Sequence, residues 1–492
     1  MRILLVNPPV NRLCEVEVNY YPLGVGYLAA ITNRAGHETR IYNADMSRVP
    51  LTPLANEVRL ENHELFVRAL DDDDHLVWRE YREVLDETRP ELVGFSCTSA
   101  SIMPCLKMAR EAKERCGATV VFGGMHPTIL PEKTAREEAV DYVVAGEAEE
   151  SFPALVAALA GGGDPRSVPG VGGVDGGGTF FSPPPPLERD LDRYPFPDRH
   201  SLLFLEEHRK YLQAIVTSRG CPFRCTFCAG RNMHQGRVRF RSAGNVCDEI
   251  EYLQKQFDMH TIYFYDDALA LNKNKISALC EEIIRRRLKI RWSGFMRVDG
   301  VDPGVLKLMK ASGCTTLGIG VESGSTRILE RIKKGYTREE ALAGVKAVQK
   351  AGIDVDINII VGFPFETEAD LRDTLSLIQE LQVPTNINTL TPYPGSELYD
   401  ECRELGLIEG EMDWTRISQH SLYNEFIKEI SHEDYRRLLA EMVRVADAIR
   451  SKRGVGHYVK RIGQLWYENG RNPLLFSRTM AGKVIRKLPG AR

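Results

Sequence analysis

Residues 214–228 read AIVTSRGCPFRCTFC, a short apolar run followed at once by Cys221, Cys225 and Cys228. Ala214–Thr217 has the build of a buried parallel strand, and the three thiols stand on the loop that leaves it. Three thiolates on one loop can bind three irons of a cubane iron–sulfur cluster. Such clusters normally take four cysteines, so one iron would stay open to a small chelating ligand. The alternative is zinc, completed by His234 six residues after Cys228. Structural zinc sites combine two separate ligand pairs, which this run lacks. The other eight cysteines are scattered singly, and Cys97, Cys105, Cys116, Cys247, Cys280, Cys314 and Cys402 sit in or beside apolar patterns, so most read as small buried hydrophobes.

Downstream, further strand-like runs occur at Thr261–Tyr265, Ile290–Phe295, Thr316–Val321, Asp356–Val361 and Asn386–Thr391. Helical segments separate them: Val246–Gln256, Ile276–Arg287, Pro303–Ala311, Thr326–Ile332, Arg338–Lys350 and Glu368–Glu380. Six β/α units are too few for a closed eight-unit barrel, which needs at least ~200 residues, and predict a partial six-unit barrel.

The spacing C-x-x-x-C-x-aromatic-C at the opening of a β/α barrel resembles the signature of radical S-adenosylmethionine enzymes, with Phe227 in the aromatic slot. Four later segments match in order: Ile262–Ala268 (IYFYDDA), Gly318–Gly324 (GIGVESG), Val361–Thr367 (VGFPFET) and Thr391–Ser396 (TPYPGS). The resemblance implies a [4Fe–4S] cluster on Cys221, Cys225 and Cys228 whose open iron chelates S-adenosylmethionine. One-electron cleavage of the sulfonium then gives methionine and a 5′-deoxyadenosyl radical. It further implies that Phe227 lies against the adenine, that Glu322 accepts ribose hydroxyls and that Gly362 admits the backbone. Asp266 and Arg297, at strand ends of the same mouth, are read either as contacts to S-adenosylmethionine or as a rim salt bridge. The protein supplies placement and exclusion of water.

Toward the amino terminus, strands at Arg2–Asn7, Glu38–Tyr42, Leu92–Ser96, Thr119–Phe122 and Tyr142–Ala145 alternate with helices, which predicts a doubly wound parallel sheet. Ligands of such sheets sit beyond the carboxyl ends of the strands. Those ends carry Asn7-Pro8-Pro9, Ser96-Cys97-Thr98, Gly123-Gly124-Met125-His126 and Gly146-Glu147. Together with Pro22-Leu23-Gly24 and Gly36-His37 they resemble the cobalamin-binding module that precedes the radical barrel in a large subgroup. The resemblance implies corrin contacts from Pro8, Ser96, Thr98, Gly123, Gly124, His126, Gly146 and Glu147. The D-x-H-x-x-G motif that supplies a lower-axial histidine elsewhere is absent, since the chain reads Asn43-Ala44-Asp45-Met46-Ser47-Arg48. His126 is the only histidine on a strand-end loop there, and is either a corrin contact or a hydrogen-bonded loop residue. Residues 46–90, with the acidic run Asp71–Asp74, read as a helical insertion.

These pieces give an α/β plan: a Rossmann-like cobalamin-binding domain over 1–160, a Gly/Pro-rich linker over 161–205, a partial (β/α)6 radical barrel over 206–400 and a helical region over 401–492. From Gly161 to Gly178 nine of eighteen residues are glycine, and a short hairpin is expected around Val174–Phe180. The 492 residues exceed the ~250–300 at which single cores stop growing. With 64 Lys+Arg against 68 Asp+Glu, the net charge of −4 gives no pull toward nucleic acid. Eleven cysteines are too few for a disulfide scaffold, and MRILLVNPPV lacks the build of a signal peptide, so a cytoplasmic protein with reduced thiols is expected. From Lys452 onward ten Lys/Arg face one acid, Glu468; a solvated or docked tail is favoured over contact with an acidic membrane surface.

The function these features imply is methylation of an unactivated carbon of a small or lipid-like substrate, using cobalamin, S-adenosylmethionine and an external electron donor such as flavodoxin or ferredoxin. The rivals are an oxidative cyclase or ring-forming enzyme built from the same domains, and a cobalamin/iron–sulfur sensor or electron-transfer protein. Methylthiolation of transfer RNA is disfavoured, since that family carries three further cluster cysteines in its N-terminal domain.

Overall fold

The computed structural model describes residues 1–17, 20–48, 51, 56, 62–422 and 424–452. Five parallel strands, β1 (Arg2–Asn7), β2 (Glu38–Asn43), β3 (Leu92–Ser96), β4 (Thr119–Gly123) and β5 (Tyr142–Val144), form a sheet in the order 2-1-3-4-5. Ile3, Leu4, Leu5, Val6, Leu92 and Val93 are all buried. Continuous apolar runs of this kind suit a sheet with helices on both faces. The strand order reverses beside β1, where β2 pairs on one edge and β3 on the other, and a crevice opens at the carboxyl ends there.

The stretch expected as a linker is partly ordered structure of this sheet. β6 (Val171–Asp175) runs antiparallel to β5, and β7 (Gly178–Phe181) returns beside it, extending the sheet to seven strands. The glycines are required by close packing rather than by slack. A Cβ on Gly172 or Gly173 would come within 2.9 Å of the rings of Phe181 and Phe180. Further along, Arg199 is fully buried and donates to Ala214 O (2.7 Å) and Glu249 Oε1 (2.8 Å). This stretch is thereby bound to the first barrel strand.

The second sheet holds β8 (Ala214–Ile215), β11 (Thr261–Leu269), β12 (Arg291–Met296), β13 (Cys314–Glu322), β14 (Asp354–Val361) and β15 (Thr385–Thr389), six parallel strands in sequential order. Between β8 and β11, β9 (Ser218–Arg219) and β10 (Arg239–Phe240) form a small antiparallel ribbon. The strand read through Thr217 stops at Ile215, because Thr217 N–H turns to Asp266 Oδ1 (2.7 Å). Along β11–β15 one face carries Ile262, Phe264, Trp292, Leu317, Ile319, Val355, Ile357 and Ile359, all buried under the helices. The other face, lining the lumen, carries Tyr263, Tyr265, Phe295, Thr316, Asp356, Asn358, Asn386 and Asn388, all at least partly exposed.

The sheet remains open, and its outer edge at β15 is covered. Asn56, from the 46–90 insertion, accepts from Ile387 N–H and donates to Thr385 O, both at 2.9 Å. Arg450, on the helix His432–Ser451, donates to the same carbonyl at 3.0 Å. Capping the edge in this way removes a template for strand addition. That helix is the main element of the C-terminal region; the described residues between Glu404 and His432 contain none. No described helix is long and apolar enough to cross a membrane. Beyond Lys452 the basic tail lies outside the described residues.

Candidate active site

The cysteine loop is gripped from several sides. Gly220 has φ +93°, its N–H donates to Asp267 Oδ2 (2.8 Å), and a Cβ there would run into the carbonyl of Arg237. Thr226 donates to Ile332 O (3.1 Å) and accepts from Leu398 N–H (2.8 Å), tying the loop to both later halves of the barrel. Each thiol is met by an N–H group: Cys221 by the amide of Phe223, Cys228 by that of Gly230 (3.4 Å), and Cys225 by Nη1 of Arg297 (3.8 Å). Burial pushes the thiols of Cys221 and Cys228 up, so binding metal would release their protons. Among the described residues no three His, Cys, Asp or Glu side chains converge on one ion. His234, the fourth ligand of the zinc alternative, spends Nδ1 on Glu147 Oε1 at 2.8 Å. Three thiols on one loop backed by N–H donors, with His234 committed to Glu147, suit a cubane cluster better than a mononuclear zinc site.

Beside the loop lie the segments expected to hold S-adenosylmethionine. Phe227 stands 6.5 Å from Phe363, ring centre to ring centre. Glu322 ends β13 in the left-handed region (φ +70°), and its Oε1 accepts from the buried Lys334 Nζ at 2.8 Å. Gly362 follows β14 with φ +95°, and a Cβ would sit 2.8 Å from Tyr435 Oη. Its N–H and that of Phe363 both donate to Glu366 Oε2 (2.6 and 3.2 Å), and burial raises the Glu366 carboxyl to about 8. Gly362 is required by its positive φ and by the closeness of Tyr435, and Glu322 ends its strand in a conformation of the kind that clusters at functional sites.

Two residues of that set are placed differently. Asp266 is buried beneath the mouth and accepts from Thr217 Oγ1 (2.5 Å) and Ser218 Oγ (2.6 Å); burial raises it to about 6 even so. It ties the segment after β8 to β11 and lines a second, smaller cavity with Thr217 and Ser218. Arg297 forms the rim ion pair, through Asp299 Oδ2 at 2.9 Å, and also donates to Lys334 O at 2.5 Å.

A cavity of about 370 Å³ begins at the carboxyl ends of β1, β3, β4 and β5 and runs to the barrel mouth. Ser96, Gly123, Gly124, Gly146 and Glu147 line it on one side; Ser218, Arg219, Met233, Tyr265 and Asp267 line it on the other. Gly124 (φ +97°) is fixed because a Cβ would lie 2.8 Å from Cys97 O. Pro8, Thr98 and His126 do not line the cavity. Thr98 caps the turn that follows β3. His126 is buried, bonded to Ser99 Oγ at 2.9 Å and set edge-on to Trp414; burial lowers it to about 4. The structure places it in a hydrogen bond within its own loop, outside the lining of this cavity.

The two halves of the cleft are latched by charge. Glu147 accepts from Arg219 Nη1 (3.0 Å), Arg239 Nη1 (3.1 Å) and His234, while Glu149 accepts from Arg219 Nη2 (2.6 Å). The Arg219 guanidinium also lies 5.0 Å from the Tyr27 ring centre. Burial alone would raise Glu147, but the hydrogen bonds from His234 and Arg239 and the charge of Arg219 hold it at about 2.

Cofactor sites on two sheets that share one cleft define an enzyme using S-adenosylmethionine and cobalamin together, and known proteins agree. The Radical SAM superfamily model matches residues 215–378, and the B12 binding domain model matches residues 12–156. An uncharacterised methyltransferase of Pyrococcus horikoshii is 31% identical over 426 residues, covering 85% of this chain and 86% of the relative. The chain belongs to this family of cobalamin-binding radical S-adenosylmethionine enzymes, and its cofactors are a [4Fe–4S] cluster, S-adenosylmethionine and cobalamin. The anaerobic magnesium-protoporphyrin IX monomethyl ester cyclase of Rubrivivax gelatinosus is 28% identical over 420 residues, covering 82% of this chain and 70% of the cyclase. Among solved structures, the radical S-adenosylmethionine methyltransferase TsrM from Kitasatospora setae superposes with a TM-score of 0.64 at 21% identity, over 82% of this chain and 76% of TsrM.

The lumen beyond the cofactor cleft has two unlike walls. Tyr263, Tyr265 and Phe295 form one: Tyr263 lies 4.8 Å from Tyr265 and 6.0 Å from Phe295, ring centre to ring centre. Tyr20, from the first domain, adds a ring 5.7 Å from Tyr265. Asp356, Asn358, Asn386 and Asn388 form the other, with Asn386 Nδ2 donating to Asn358 Oδ1 at 3.1 Å. Barrel interiors are ordinarily filled by branched apolar side chains; here Tyr265 and Phe295 are 40% and 36% exposed. The alternation in Ile262–Ala268 signals Tyr263 and Tyr265. No sequence pattern marks Lys334, or the pairing of Arg219 and Arg239 with Glu147.

Proposed function

We propose that the chain moves a methyl group from S-adenosylmethionine, by way of cobalamin, to an unactivated carbon of a small, partly apolar or lipid-like molecule held in the barrel lumen. The single observation that carries this reading is the continuity of the cleft, which meets the corrin side at Ser96 and Gly146 and the barrel mouth at Tyr265 and Asp267. A substrate between the aromatic and amide walls would sit next to both cofactors. In this reading Cys221, Cys225 and Cys228 hold the cluster, Phe227, Glu322 and Gly362 hold S-adenosylmethionine, and Ser96, Gly123, Gly124, Gly146 and Glu147 face the corrin. The cobalamin unit takes in β6 and β7 and so extends past residue 160 to Phe181, the barrel unit runs over 206–400, and the C-terminal region follows from 401. The thiols need a reducing compartment, which favours the cytoplasm, and a flavodoxin or ferredoxin would deliver the electron.

The test is product stoichiometry in reduced, cobalamin-loaded enzyme given a host metabolite and lipid extract. Methyl transfer consumes two S-adenosylmethionines per turnover, one yielding S-adenosylhomocysteine and the other 5′-deoxyadenosine, and label from a labelled methyl donor passes through cobalt into product. A second reading, a ring-forming oxidation, is favoured by the likeness to the Rubrivivax cyclase. Formation of 5′-deoxyadenosine without S-adenosylhomocysteine, and with no label on cobalt, would overturn methyl transfer in favour of that reading.

A further inference from the structure

The three cysteine sulfurs receive three N–H donors, but the donors are unlike. Those to Cys221 and Cys228 are backbone amides two residues further on, Phe223 and Gly230, so the loop provides them for itself. The donor to Cys225 is the guanidinium of Arg297, brought by the end of a different strand and carrying a full positive charge.

That guanidinium is held in place on every side. Its Nε donates to Asp299 Oδ1 (3.0 Å), and its Nη2 donates to Asp299 Oδ2 (2.9 Å) and Lys334 O (2.5 Å). Its plane rests 3.5 Å from the ring centre of Phe223, itself part of the cysteine loop. With Nε and Nη2 committed and the face covered, the Nη1 edge is directed at Cys225 Sγ, 3.8 Å away. Arg297 is 7% exposed, so water screens this contact little.

We propose that Arg297 is a positioning residue that sets the reduction potential of the cluster through its charged N–H to the Cys225 thiolate. Reducing a [4Fe–4S] centre adds one negative charge to the irons and their sulfurs. A fixed cation at a ligand sulfur favours that charge, and hydrogen bonds to sulfur together with local charge are principal levers on such potentials. Asp299 acts in the opposite sense through its charge, which partly offsets that of the guanidinium, and an Asn there keeps an oxygen for Nε while losing the charge. The two residues of one ion pair therefore have opposite effects on the same couple, which a merely structural rim pair would not produce.

The experiment is a mediated redox titration of the full-length holoenzyme, following the electron paramagnetic resonance signal of the reduced cluster, with iron content measured on every sample. Arg297→Gln should lower the ratio of reduced to oxidised cluster at a given potential about tenfold, which is 59 mV for a one-electron couple. Arg297→Lys, retaining charge without the planar fork, should fall between it and the wild type. Asp299→Asn should shift the ratio the other way. An Arg297→Gln ratio within about twofold of wild type, or an Asp299→Asn shift in the same direction as Arg297→Gln, would overturn the proposal. Should Arg297→Gln fail to retain its iron, Asp299→Asn decides alone: a rise supports the assignment, and an unchanged or lower ratio sinks it.

Discussion

Removing the charge of Glu147 should unlatch the two cofactor domains. The carboxylate sits between Arg219, Arg239 and His234, and both it and Arg219 are largely shielded from water. Holding a carboxyl at about 2 instead of 4.5 corresponds to roughly 3 kcal/mol at 1.36 kcal/mol per unit. Breaking one partner out of a buried ion pair costs about 3–5 kcal/mol, because the remaining charges stay buried and unmatched. Glu147→Gln should therefore weaken domain docking by roughly two to three orders of magnitude, at about 1.4 kcal/mol per tenfold. The assay is retention of corrinoid through gel filtration, paired with urea unfolding of the cobalamin-loaded protein. The pH sign follows from the lowered carboxyl. Its contribution is complete above pH 4.5 and disappears as pH falls toward about 2. Wild type should lose docking across that window, whereas Glu147→Gln should vary little there. A cost below about 1 kcal/mol in both measurements, the ordinary value of a surface pair, would refute the latch.

Two further outcomes follow from buried groups near the cofactors. His126→Ala should retain a full complement of corrinoid, and the cob(II)alamin signal of the wild type should lack splitting from a histidine nitrogen, since His126 is bonded to Ser99 away from the cavity; such splitting, lost in the variant, would contradict this. Glu366, raised to about 8, keeps its proton in the folded state where the unfolded chain has lost it. Its contribution is therefore complete below about pH 4.5 and is lost as pH rises toward 8, on the order of 5 kcal/mol at 1.36 kcal/mol per unit. Glu366→Gln keeps an oxygen for the amides of Gly362 and Phe363 and should remove that slope from urea unfolding of the protein without S-adenosylmethionine; an unchanged slope would place the titration elsewhere.

Much of this molecule was legible along the chain because its signals are local. Period-two and continuous apolar runs mark strands, and the cysteine spacing, Gly318–Gly324 and Val361–Thr367 mark turns whose chemistry is complete within a few residues. The glycine-rich stretch after residue 160 misled for the opposite reason. Glycine signals slack or close packing equally well, and only the rings of Phe180 and Phe181 lying over Gly172 and Gly173 distinguish them. Asp266 and Arg297 were likewise seen at the right strand ends without their partners.

The sequence by itself determined two parallel β/α units, a cysteine loop able to hold a cubane, and the absence of a histidine motif after β2. These depend on residues close together in the chain, where spacing and backbone preference settle the geometry. Tertiary structure alone decided that Glu147 meets Arg219 and Arg239, that Lys334 takes Glu322, that His126 turns to Ser99, and that Arg297 reaches Cys225. Each of these contacts joins positions apart in the chain, through polar or charged side chains of kinds common on any protein surface. What makes them specific is burial, which makes an unmatched charge costly, and burial exists only once the sheets have packed.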